Sequence, residues 1–188
     1  MKKILKEIAE NFTLLSHTQS NNIEKCANVI LNSLKKGNKV MFCGNGGSAA
    51  DSQHLAAELV GRYKLDREPI AAIALTTDTS NITAIANDYS FEDIFSRQIK
   101  AIGKENDILY AISTSGNSKN IINAVKQAKE QNIISIGVTG KDGGEMKNLC
   151  DEIIQVPANS PDRIQEMHIA IGQIICEIVE NYFFSKID

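Results

Sequence analysis

His54 and Glu58 stand four residues apart in a segment, Ala49 to Val60, whose apolar residues recur at helical spacing. Both side chains therefore fall on one helix face, within a turn of each other. An imidazole and a carboxylate so placed can hold zinc or another divalent ion, or can simply form a surface hydrogen bond. Immediately upstream, Gly44-Asn45-Gly46-Gly47-Ser48 ends a short apolar run and opens that helix. Glycines let a backbone approach an anion, and a helix start offers unpaired N–H groups and the positive end of a dipole. The spacing Gly44-x-Gly46-x-x-Ala49 also fits a dinucleotide fingerprint, which needs an acidic residue closing the second strand about 20 residues on. Leu75-Thr76-Thr77-Asp78 supplies that acid too late and inside a Thr-rich loop, which disfavours nicotinamide binding.

A second polar loop, Ser113-Thr114-Ser115-Gly116-Asn117-Ser118, also ends an apolar run and precedes a helix. Hydroxyls around a glycine at a helix N-terminus suit a phosphate monoester, whereas an ordinary N-cap accounts for Ser118 alone. A sugar phosphate gripped between the two loops satisfies both, and without a Walker pattern nucleoside triphosphate chemistry is disfavoured. The last helical segment carries Asp162, Gln165, Glu166, His168 and Gln173. At about 100° per residue, Gln173 lies about 80° to one side of Gln165 and His168 about 60° to the other, so spacing does not choose between them. A solvated polar stripe is the competing reading of the whole set.

These loops need elements to hold them. Five short apolar runs, Val40 to Cys43, Ile70 to Leu75, Ile108 to Ile112, Ile133 to Val138 and Ile153 to Val156, read as strands. Helical segments alternate with them: Ala49 to Val60, Ile82 to Gly103 with a break near Asp88, Ser118 to Gln131, and Arg163 to Phe184 after Pro157 and Pro161. Strands that run apolar without alternation imply a parallel sheet covered on both faces, a doubly wound α/β sandwich with ligands at the carboxyl ends of its strands. Ahead of it, Ile4, Leu5, Ile8, Phe12 and Leu15, then Ile23 to Leu34, predict a long helical preamble bent near Ser20-Asn21-Asn22.

At 188 residues and 43% hydrophobic, one domain burying about 70% of its unfolded surface is expected. Lys and Arg number 20 against 23 Asp and Glu, a formal charge of −3 with the signs interspersed, which argues against a nucleic-acid footprint. Charges within Met1 to Glu7, and no apolar run near about 18 residues, exclude a signal peptide and a membrane span. Cys26, Cys43, Cys150 and Cys176 form no CxxC pair and read as reduced core thiols of a cytoplasmic protein. His17 is read as a helix-surface residue.

Taken together, Phe42 to Ser48, His54 through Glu58 to Gly61-Arg62-Tyr63, Asn87-Asp88, Ile112 to Ser118, Thr139 to Gly144 and Asp162 to Glu166 resemble phosphoheptose isomerases of the sugar-isomerase (SIS) domain family. The matching stretches run in family order across nearly the whole chain. The resemblance implies a three-layer, flavodoxin-like sandwich with a five-stranded parallel sheet, spanning 1–188 as one domain. It implies a homotetramer with active sites at subunit interfaces, residues 1–36 contributing to its contacts, and one zinc ion per subunit. It also implies conversion of sedoheptulose 7-phosphate to D-glycero-D-manno-heptose 7-phosphate, the entry to nucleotide-activated heptose for lipopolysaccharide or capsule.

Carried over by position, His54, Glu58, Gln165 and Gln173 take the metal places. Ser48, Ser113, Thr114, Ser115 and Ser118 hold the phosphate end, and Asn45, Gly46, Gly47, Asn87, Asp88 and Asp162 line the sugar, with Glu58 and Gln165 also touching substrate. Moving a proton between C1 and C2 through an enediol needs a base, which the resemblance makes Glu58, and an acid at oxygen. Where enterobacterial-type members place a metal-ligating histidine that serves as that acid, this chain has Gln173. An amide does not titrate near neutrality, so metal with bound water takes over the role, or another group such as His168 does, or the activity is reduced. The rival reading is a non-catalytic branch of the family that associates with a bacterial replication initiator and lacks the acid found here as Glu58.

Overall fold

The computed structural model describes residues 1–185. Five parallel strands, β1 (Val40–Cys43), β2 (Ala72–Ala74), β3 (Ile108–Ser113), β4 (Ile134–Thr139) and β5 (Glu152–Gln155), form one sheet in the order β2-β1-β3-β4-β5. Helices α1 (Lys2–Leu34), α2 (Gly47–Val60) and α6 (Pro161–Phe184) cover one face; α3 (Thr79–Asp88), α4 (Ser96–Ile102) and α5 (Lys119–Glu130) cover the other. Along each central strand the side chains alternate between two cores: Val40, Phe42, Ile108 and Tyr110 enter one, and Met41, Cys43, Leu109 and Ala111 the other. Both faces being covered, β1 and β3 are buried at every position, so no polar alternation appears in their sequence.

Some boundaries depart from the sequence expectation. The preamble is a single unbroken helix. It contains neither Gly nor Pro to interrupt it, and Thr13, Ser16, Thr18 and Ser20 donate their hydroxyls to its own carbonyls, Ser16 Oγ to Thr13 O at 2.7 Å among them, so none of them leaves the ladder. Strand β2 has three residues where six were expected, because it is an edge strand paired only with β1. The segment from Ile82 to Gly103 breaks at Asp88 as expected, with a 3-10 turn at Phe91–Asp93 between α3 and α4; α3 is capped by Asp78, whose carboxylate accepts from the Asn81 N–H at 3.0 Å. Helix α6 starts two residues early, with Pro161 in its first turn.

The order of the strands places the direction-reversing crevice between β1 and β3, since α2 leaves β1 toward one face and α5 leaves β3 toward the other. The loops at that crevice are Gly44–Ser48 and Ser113–Ser118. Among the described residues no helix is long and apolar enough to cross a membrane.

Candidate active site

The first loop is shaped by glycines with different duties. Gly46 has φ +56°, a left-handed conformation that favours glycine. At Gly47 an added Cβ would sit 2.7 Å from Gln165 Nε2, so the absence of a side chain is what lets Gln165, one turn into α6, lay its amide on the mouth of the loop. Ser48 follows as the second residue of α2, but it is buried, with its N–H on the Asn45 carbonyl at 3.0 Å.

The first loop is latched to the helix that follows the second. Asn45 and Asn120, the second residue of α5, exchange amide hydrogen bonds in both directions, each 2.8 Å. Asn120 went unremarked in the sequence; its one signal was a buried-phase position in α5 occupied by an amide. In the second loop the hydroxyls divide their labour. Ser113 is buried and accepts from the Gly116 N–H at 3.2 Å while lying 3.2 Å from Ser118 Oγ, and Ser115 Oγ accepts from the Asn117 N–H. Thr114, Ser115 and Asn117 line a cleft of about 470 Å³ whose other walls are Gly140 to Asp142, Asn159 and Ile164. Gly116, at φ +66°, touches the backbone of Gly143, which packs this loop onto the one after β4.

On α2, His54 Nε2 lies 3.0 Å from Glu58 Oε1, with the imidazole half exposed and the carboxylate 18% exposed. Glu58 faces α6: its charge joins burial in pushing the Cys176 thiol up to about 12. The two helices approach closely where Gly172 meets Leu55, and Gln173 is the half-buried residue that follows. Asp51, one turn before His54, was not singled out from sequence. Its Oδ2 is buried without a partner, and burial, opposed by His54, raises its pKa to about 6. Asp162 is exposed in the first turn of α6 and is held down to about 2 by the Ser160 hydroxyl and by Arg163, whose Nη2 lies 2.9 Å away.

The expected set is thus gathered only in part. Asn45, Gly46, Gly47 and Gln165 meet at one crevice, and His54 and Glu58 pair on the helix that leaves it. Asn87 and Asp88 end α3, exposed and bonded to each other at 2.8 Å rather than to either loop. Of the four proposed metal places, His54 and Glu58 are in mutual reach, whereas Gln165 lies at Gly47, seven residues or about 10 Å along α2 from His54. No cluster of three or more His, Cys, Asp or Glu suited to a metal occurs among the described residues.

One expectation is corrected. His168 is 1% exposed, neither ring nitrogen has a hydrogen-bond partner, and burial lowers its pKa to about 4 against an opposing pull from the Thr139 backbone. It is a neutral core residue, so it does not stand in for the missing acid histidine. The helical angles left it level with Gln173; packing decides against it.

A model of the SIS domain matches residues 4–140. Phosphoheptose isomerase from Akkermansia muciniphila is 51% identical over 94% of this chain and 93% of its own, and that of Clostridium acetobutylicum is 54% identical over 87% and 84%. Among solved structures, phosphoheptose isomerase from Neisseria gonorrhoeae superposes with a TM-score of 0.91 at 40% identity, and that from Francisella tularensis with 0.93 at 34%, each over 96% of both chains. With its sheet order, its latched first loop and relatives of this closeness along nearly its full length, the chain belongs to the phosphoheptose isomerases of the SIS domain family.

Proposed function

We propose that this protein interconverts sedoheptulose 7-phosphate and D-glycero-D-manno-heptose 7-phosphate, supplying heptose for nucleotide activation. The observation that carries the reading is the layout of α2: an anion-type loop at its N-terminus, latched to the helix that follows a hydroxyl-rich loop, and a His54–Glu58 pair two turns further along. The phosphate is bound by N–H groups and hydroxyls of the loops. Glu58 removes a proton from C1 of the ketose and returns it to C2 of the resulting enediol. The oxygens exchange their proton with water in the site, since Gln173 does not titrate and His168 is sealed in the core. Retention of Glu58 disfavours the replication-associated, non-catalytic reading.

Zinc fits this donor set at two places, the His54 nitrogen and the Glu58 oxygen, with Gln165 and Gln173 as amide-oxygen candidates on the facing helix. A bound ion would stabilise negative charge developing on the carbonyl oxygen. A homotetramer working in the cytoplasm completes the proposal. In its support, the four cysteines are unpaired, and Ile4 and Leu5 on the leading half of α1 are more than half exposed. The test is incubation of metal-loaded protein with sedoheptulose 7-phosphate, followed by NMR for the aldose. Conversion that Glu58→Gln abolishes, with sugar phosphate still bound, supports the reading; no conversion with zinc present overturns it.

A further inference from the structure

Helix α2 ends at Val60, and Glu58 therefore sits in its last turn, the part of a helix whose carbonyls lack ladder partners and which frays first. Two of those carbonyls are taken by a side chain, and the Leu59 carbonyl accepts from the Ile70 N–H at 3.0 Å as well. Arg67 Nη2 donates to the Glu58 carbonyl at 2.7 Å, and Nη1 donates to the Leu59 carbonyl at 2.8 Å. The guanidinium is itself held from behind: Nε donates to Glu180 Oε1 at 2.9 Å, and both side chains are 1% exposed. Glu180, near the end of α6, also accepts from the backbone N–H groups of Tyr63, Lys64 and Leu65 at 2.7 to 3.0 Å. The irregular stretch after α2 is thereby cinched to α6, and one fork grips the turn that carries Glu58.

A buried ion pair is seldom a gain in stability over an apolar pair of the same volume. What this one supplies is direction: a planar fork of fixed geometry, positive at the negative end of a helix dipole, bonded to the main chain of the residue whose carboxylate must meet carbon. We propose that Arg67 and Glu180 are positioning residues for the isomerisation, setting the Glu58 carboxylate through the backbone of the last turn of α2. This rests on the reading of Glu58 as the base, and neither residue touches substrate.

Arg67→Lys keeps the charge and removes the fork. Its kcat should fall about tenfold or more while KM for sedoheptulose 7-phosphate stays within about twofold, because the phosphate loops lie at the other end of α2. Glu180→Gln should move kcat in the same direction by a smaller factor. Hydrogen exchange supplies a readout independent of turnover. In the unmodified protein the amides of Leu55 to Val60 should exchange as slowly as those of β1, and in Arg67→Lys they should speed up selectively. Wild-type kcat in both variants, loss of activity only in proportion to loss of folded protein, or a freely fraying last turn in the unmodified protein each overturns the proposal. If the unmodified protein converts no substrate, the isomerase reading fails and this positioning role with it, while exchange still decides whether the strap holds the turn.

Discussion

Two buried groups at the residue scale, Asp51 and His168, make opposing contributions to stability in acid. Burial lowers the His168 pKa from 6.5 to about 4, so the unfolded chain binds the extra proton first and stability falls as pH drops from 6.5 toward 4. The difference is worth about 3 kcal/mol across that window. Burial raises Asp51 from 3.8 to about 6, so the folded state binds its proton first and stability falls as pH rises from 3.8 through 6. The two slopes overlap and offset each other. His168→Leu should therefore expose a stability that declines with rising pH over that range, and Asp51→Asn should expose one that increases; urea titrations at stepped pH read both, and parallel curves for the two variants would refute the assignment. At Gln173, an imidazole restores a titratable group beside the α2–α6 contact. Gln173→His should keep or raise turnover, and a collapse of activity would show that the amide itself is needed.

Elements set the site by touching at their ends. The reciprocal Asn45–Asn120 amides tie the loop after β1 to the first turn of α5. Asn120→Ala leaves Asn45 without either bond and should lower stability by about 1 to 3 kcal/mol. Because the latch sets the spacing of the two phosphate loops, KM for the sugar phosphate should rise several-fold with a smaller change in kcat; steady-state kinetics at a temperature well below the unfolding midpoint separate the two effects. The glycine pattern of the first loop was visible in sequence as an anion-binding signal, and Ser113 to Ser118 as a second. That Ser48 and Ser113 would be buried within their own turns was not visible, since spacing says nothing of which hydroxyl a turn consumes. Asn120 was hidden for the same reason: its partner lies 75 residues away.

At the scale of the whole molecule, α1 is about 50 Å long and α6 about 36 Å, and α1 has no buried residue before Leu15. An amphipathic helix of that length with Ile4 53% and Leu5 61% exposed has an apolar stripe that the rest of its own chain does not cover. If the proposed tetramer uses this stripe, replacing both Ile4 and Leu5 by Lys should shift the light-scattering mass toward smaller species without unfolding the sandwich, whose core begins at Leu15 and Ile23. An unchanged mass would move the interface elsewhere on the surface. The sequence by itself determined the layer architecture, the number and parallel sense of the strands and the helix that carries His54 and Glu58, because these follow from local periodicity and from where apolar runs stop. Only the tertiary structure decided that α1 is unbroken, that His168 is core and Gln165 is at the first loop, and that Arg67 and Glu180 grip the last turn of α2. Those outcomes depend on which groups exclude water from one another across long sequence separations, and pattern within a segment carries no record of that.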